Sequence, residues 1–284
     1  MLSPALVIST SLGYLLILFA VAYWADWRGR QGCSVIANPW VYALSLAVYC
    51  TAWTYLGSVG RAATGGVWFL PIYLGPTLAM VLGWLVVRKM IRIAKAYRIT
   101  SIADFIASRY GKSPLLAGLV TLIAVVGIVP YIALQLKAVS AGYALLTAQA
   151  GDVAHAPVHW SQDSAFYVAL VLAGFTMVFG ARHLGPTERH EGMVAAIAFE
   201  SVVKLVAFLS VGLFVVYSLF DGLPDLFARA QAVPALQQLL RLEQGGQFAW
   251  AQWFALMVLS MFSVAFLPRQ FQVMVVENVR ETHL

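Results

Sequence analysis

The stretch Ala47-Val-Tyr-Cys-Thr-Ala-Trp-Thr-Tyr-Leu-Gly57, continued by Ser58-Val59-Gly60, decides how this chain folds. It sits inside an apolar segment, residues 39–60, that is long enough to cross a bilayer, since about 20 apolar residues suffice. Ala47, Thr51, Thr54 and Ser58 recur every three or four residues, so one helical face carries small or hydroxylated side chains at the middle of the segment. Gly57 and Gly60 weaken the helix just beyond. An unwound turn at mid-membrane frees carbonyls, which are tolerated only against protein or a watery cavity. Carbonyls beside hydroxyls suit a small hard cation, and a nearby helix end suits a charged solute. The alternative reading is a face that packs against another helix, as small residues and Thr routinely do.

The rest of the chain agrees with a membrane setting. Of 284 residues, 61% are hydrophobic and 11% charged, against about 25% charged in a soluble domain. Mean hydropathy is +0.82. A cytosolic enzyme, a disordered chain and a disulfide scaffold are excluded, the last because the cysteines are only Cys33 and Cys50. The expectation is an all-α integral membrane protein of about seven transmembrane helices, over 4–24, 39–60, 66–87, 114–138, 164–180, 192–220 and 250–267. The first is not a cleaved signal peptide, because Arg28 and Arg30 follow the apolar run instead of preceding it. With the N-terminus outside, thirteen Lys and Arg fall in the inner segments, and only Arg61, Arg229 and Arg241 fall outside, which predicts an N-out, C-in chain. The outer loop from Asp221 to Gln247 reads as one or two short amphipathic helices interrupted by Pro234.

Polar side chains inside the spans mark the remaining candidates. Glu200 and Lys204 stand at i, i+4 with the acid first, the favourable order for an ion pair; it serves either function or mutual neutralisation at depth. Gln135, and Tyr131 four residues before it just after Pro130, share a face that can line a cavity. His155 and His159 read as a surface pair sooner than a metal site. His183 and His190, among Arg182, Glu188, Arg189 and Glu191, read as a solvated loop. No catalytic constellation, nucleotide-binding loop or organic-cofactor motif is found, and the basic excess of +6 is too dispersed to point to nucleic acid.

Two segments carry a resemblance. Tyr97-Arg-Ile-Thr-Ser-Ile-Ala-Asp-Phe-Ile-Ala-Ser-Arg-Tyr-Gly111 resembles the cytoplasmic T-[LIS]-x-[DE]-F-[LI]-x-x-R-[FY]-G segment of the sodium:solute symporter family, through Thr100, Asp104, Phe105, Arg109, Tyr110 and Gly111. Pro186-Thr187-Glu188-Arg189-His190-Glu191-Gly192 is similar to that family's W-T-D-x-x-Q-G, with Pro for Trp, Glu188 for Asp and Glu191 for Gln. The runs VYCTAWTYLGSVGRAATGG, PYIALQLKAVSAGY, RHLGPTERHEGMVAAIAFESVVKL and FLPRQFQVMVVEN, spread over residues 48–278, resemble the symporter-like membrane module of CbrA-type bacterial sensor histidine kinases. Pro268-Arg269-Gln270-Phe271 departs from the P-H-x-x-x-R-F of ordinary transporters in the family, a departure that favours sensing over bulk transport.

The resemblance implies the leucine-transporter type of fold, two inverted five-helix repeats with solute and Na⁺ between them. Residues 1–38 then form an extra first helix and loop, 39–220 the first repeat, and 250–284 the start of an incomplete second repeat. It implies Na⁺ on the backbone carbonyls of Ala47 and Cys50, a solute against Thr51, Trp53 and Thr54, and a place for Glu188 on the Na⁺ path. The expected role is the membrane input of a sensor histidine kinase in the bacterial inner membrane. It would bind an amino acid such as histidine or proline, with or without transporting it. The kinase and its response-regulator partner would depend on a C-terminal part beyond this chain, which is expected to be a fragment. The alternatives are a Na⁺-coupled secondary transporter without signalling and a self-contained seven-helix protein.

Overall fold

The computed structural model describes residues 2–147, 163–180, 190–243 and 249–279, and these are helical, with no strand among them. Helix α1, Pro4–Arg30, opens with Pro at its first turn, where a missing N–H costs nothing, and with the Ser3 hydroxyl accepting from the Leu6 N–H. Helix α2, Pro39–Ser45, repeats the device: Pro39 leads it and the Asn38 side chain accepts from Trp40 N. It tightens into a 3₁₀ turn over Leu46–Tyr49 and stops. After Cys50 and Thr51 the chain resumes as a π-turn, Trp53–Gly57, followed by α3, Ser58–Gly65.

The span over 39–60 is two pieces separated by an extended residue, Cys50, at φ −80° and ψ 111°, within the 47–58 stretch expected to unwind. The expected span over 66–87 is also interrupted. A 3₁₀ turn, Gly66–Phe69, leads into α4, Pro71–Leu82, and the segment Trp53–Phe69 meets α4 at 74°. Gly66 has φ +55°, and a Cβ there would overlap the backbone of Leu239, so only glycine fits this turn. Helix α5, Trp84–Tyr97, and the short α6, Ile102–Ser108, follow.

Helix α7, Pro114–Thr147, runs through Pro130 without ending. Helix α8 covers Ser164–Gly180, and α9 covers Glu191–Phe214 and continues as a π-turn, Val215–Leu219. The loop that follows forms two short helices, α10 (Leu223–Ala232) and α11 (Pro234–Leu239), with Pro234 opening the second. On α10 the Arg229 guanidinium lies 3.0 Å from Asp225 and holds that carboxyl below its ordinary range. Helix α12, Trp250–Phe266, ends at Leu267. Helix α13, Pro268–Phe271, then continues as a π-turn, Gln272–Val276, at 54° to α12. Among the described residues, three helices are long and apolar enough to cross a membrane: Pro4–Arg30, Pro114–Thr147 and Glu191–Leu219. Counting each bent pair as one span raises this to five. Among the described residues, the apolar runs over 39–60 and 66–87 are divided by the Cys50 break and by the bend before Pro71.

Packing concentrates where the bent helices meet. Along α9, Gly192, Ala195, Ala198 and Ser201 form a strip of small residues, which allows close approach to α1 and α2. Helix α4 lies against α12 at Gly75, whose missing Cβ leaves room for Ser260, and the Ser260 hydroxyl donates to the Pro71 carbonyl at 2.7 Å. Val87, Ile91 and Ala94 of α5 join Ile99, Val264, Phe271, Met274 and Val275 in a buried cluster. The Tyr42 hydroxyl donates to the Met274 carbonyl at 2.7 Å, tying α2 to the π-turn after α13. The apolar windows of α1, α7 and α9 are unburied by protein, as surfaces against lipid are.

Candidate functional site

In a regular α-helix, the carbonyls of Leu46, Tyr49 and Cys50 would accept from the backbone N–H groups of Cys50, Trp53 and Thr54. At the break those groups donate elsewhere. Cys50 N reaches Ala47 O at 2.8 Å, Trp53 N the side-chain oxygen of Gln135 at 3.3 Å, and Thr54 N the Thr51 carbonyl at 2.9 Å. Each freed carbonyl accepts from a side chain of another helix. Leu46 O takes Gln270 Nε2 at 3.3 Å, Tyr49 O takes Arg269 Nη2 at 3.3 Å, and Cys50 O takes Lys204 Nζ at 3.0 Å. Helix α9 supplies the lysine and α13 the other two, so the break is held by tertiary contacts.

Several expected residues come together here. The Thr51 and Tyr131 hydroxyls are 2.8 Å apart. Thr51 N donates to Thr54 Oγ1 at 3.2 Å, and the Ser58 hydroxyl donates to the Thr54 carbonyl. Glu200 and Lys204 form the expected ion pair at 2.7 Å. Beside the break lies a half-open groove of about 430 Å³. Tyr131, Gln135 and Arg269 give it polar groups, and Ile132, Leu136 and Leu172 give it apolar walls. Gln135 Nε2 and Arg269 Nε are buried donors without a hydrogen-bond partner, and the Arg269 guanidinium stacks 4.7 Å from the Tyr131 ring centroid. Trp53 enters through its backbone N–H, and Thr54 through the Thr51 turn.

Sequence reasoning placed Arg269 among the inner charges and missed its contact with the break, as it missed that of Gln270. The available signal was a cation directly after Pro268, at the end of an apolar run, where an unpartnered charge is expensive. It also paired Lys204 with Glu200 alone. His190 is not simply solvated: its Nδ1 lies 2.8 Å from the buried Glu277, which also takes Gln272 Nε2 at 3.1 Å. Glu188, His155, His159 and His183 lie outside the described residues. Among the described residues, no group of three His, Cys, Asp or Glu side chains is placed to hold a metal ion.

The sodium:solute symporter family profile matches residues 35–184, more than half of the chain. A symporter-class membrane protein is what the broken helix, the small-residue packing and this match define together. The chain belongs to the sodium:solute symporter family and is a multi-pass membrane protein. It is 26% identical over 254 residues to the Bacillus subtilis (strain 168) protein named uncharacterized symporter YhjB, covering 83% of this chain and 47% of that protein. It is 38% identical over 90 residues to uncharacterized symporter YodF of the same organism, covering 31% of this chain and 18% of that protein. The chain thus spans about half the length of the first relative. No solved structure matches.

Family membership implies Na⁺, and the resemblance assigns it to the carbonyls of Ala47 and Cys50. Their arrangement here does not fit that ion. Ala47 O already closes the 3₁₀ turn, and Cys50 O holds the Lys204 ammonium. Two unit cations about 4 Å apart repel by about 4 kcal/mol at an effective dielectric constant of about 20, so Na⁺ at Cys50 requires the ammonium to leave.

Proposed function

We propose that this chain is a solute-binding membrane module of the bacterial inner membrane that serves as the input of a sensor histidine kinase. The observation that carries the binding reading is the half-open groove beside the Cys50 break, where Tyr131, Gln135 and Arg269 stand among apolar side chains. A volume of about 430 Å³ is in the range of small-molecule sites. Lys204 and Arg269 against Glu200 leave one positive charge at the break, which favours a solute bearing a carboxylate, such as an amino acid. Thr51, Trp53, Thr54, Tyr131 and Gln135 are its neighbours in this reading, and the apolar walls receive its side chain. The first repeat, residues 39–220, rocks against the start of the second, residues 250–284. Unequal solute affinity for the two states shifts their balance. The kinase link and its response regulator rest on the resemblance of the four runs in residues 48–278.

The test is binding of radiolabelled L-histidine and L-proline to the full-length protein in liposomes, with autophosphorylation followed alongside. Saturable binding of either that alters phosphorylation supports a sensor. Binding of neither removes the amino-acid reading.

A second reading, a secondary transporter coupled to Na⁺ without signalling, is favoured by the two relatives, both named as symporters. Uptake driven by a Na⁺ gradient, with no phosphorylation response, would select it.

A further inference from the structure

We infer that Lys204 supplies, from within the chain, the cation held by the broken helix, so that solute binding at the break does not require Na⁺. This rests on the reading of the break as the solute site. The ammonium donates to the Cys50 carbonyl at 3.0 Å and to Glu200 Oε1 at 2.7 Å. Cys50 O is the carbonyl left free when Thr54 N turns back to Thr51 O. The C-terminal end of a half-helix concentrates negative partial charge, and a cation there is stabilising. Here that end meets two tethered cations, because the Arg269 guanidinium takes the neighbouring Tyr49 carbonyl. The third freed carbonyl, Leu46 O, takes the Gln270 amide. All three are thereby satisfied by protein donors.

The anchor also has a mechanical consequence. Lys204 belongs to α9, which packs on α1 and α2, so the cation cannot diffuse away when the solute leaves. A mobile ion would link solute occupancy to its own concentration; a tethered one links it to the position of α9.

Removing the ammonium should create what the wild type lacks. In Lys204→Met, the Cys50 carbonyl and the Glu200 carboxylate become two hard oxygen ligands facing one another without a resident cation.

The experiment is equilibrium binding of ²²Na⁺ to the full-length purified protein, as wild type, Lys204→Met and Lys204→Arg. L-histidine and L-proline binding is measured in NaCl and in choline chloride at equal ionic strength. The wild type and Lys204→Arg are expected to show no saturable ²²Na⁺ binding and the same amino-acid affinity in both salts. Lys204→Met is expected to gain saturable ²²Na⁺ binding that the wild type does not show. Saturable ²²Na⁺ binding by the wild type, or none by a monodisperse Lys204→Met, overturns the inference. Should Lys204→Met not purify, the wild type and Lys204→Arg decide by the same criterion. Absence of amino-acid binding in every salt counts against the solute-site reading alone, because the ²²Na⁺ result stands without it.

Discussion

At Cys50 and at Leu267 the backbone reaches nearly the same conformation, φ −80°, ψ 111° at the first and φ −67°, ψ 120° at the second. The means differ. Leu267 precedes Pro268, whose ring drives the residue before it out of the helical region and which has no N–H to give to the helix behind. Cys50 precedes threonine, and nothing in its local chemistry forbids a helix. Its break persists because Lys204, Arg269 and Gln270 take the carbonyls that continued winding would have taken back. One bend is written into the chain locally, while the other is held from outside, partly by the residues that follow the first kind of bend. Arg269 and Gln270 are placed where they are by Pro268, so the proline-made bend positions the clamps for the other.

The largest expected effect comes from separating the bends physically. Gly75→Val puts a branched side chain where α4 touches Ser260 and the Met257 carbonyl. Overpacking of this kind costs about 3 kcal/mol, read as a lowered thermal midpoint in detergent. An unchanged midpoint would show that α12 is free to shift and is not fixed against α4. Next is Arg269→Met, which strips the Tyr49 carbonyl of its charged donor and the cavity of its cation. A hydrogen bond to a charged group contributes about 1.5–3 kcal/mol, so amino-acid affinity should fall by about 10- to 100-fold. A change in stability without a change in affinity would confine Arg269 to clamping.

Pro268→Ala sharpens the contrast itself. With the N–H restored, the α12–α13 bend should relax from 54°, lengthening the distance between spin labels at positions 254 and 276. The cost in stability should stay within about 1 kcal/mol. An unaltered distance would mean that the second bend is also held by tertiary contacts, and the two breaks would then be of one kind.

The same difference explains how much of the molecule was legible beforehand. Pro4, Pro39, Pro234 and Pro268 announce helix starts, and each does start one. The break between Ala47 and Ser58 could be anticipated from its small and hydroxylated face with glycines beyond, and the Glu200–Lys204 pair from its spacing. The donors that hold the break could not be. Lys204 lies 154 residues from Cys50, Arg269 220 from Tyr49 and Gln270 224 from Leu46, and no periodicity within one helix reports a contact across such separations. The same limit hid the pairing of His190 with Glu277, 87 residues apart. The interruption of the span over 66–87 was hidden for a different reason, because apolar content measures length in the bilayer and not continuity of the backbone.

Thr54 provides the finest distinction, since its hydroxyl works inside the break and clamps nothing from outside. It accepts the Thr51 N–H at 3.2 Å, and Thr51 in turn meets the Tyr131 hydroxyl at the cavity edge. Thr54→Val keeps the shape and removes the acceptor, leaving one backbone donor without its partner at a cost of about 1 kcal/mol. Because that donor belongs to the residue bridging to Tyr131, the loss should appear as an amino-acid affinity weakened about fivefold, with membrane insertion unchanged. Were the affinity to stay the same, the face from Ala47 to Ser58 would be a packing surface. The break would then owe its form to Lys204, Arg269 and Gln270 alone.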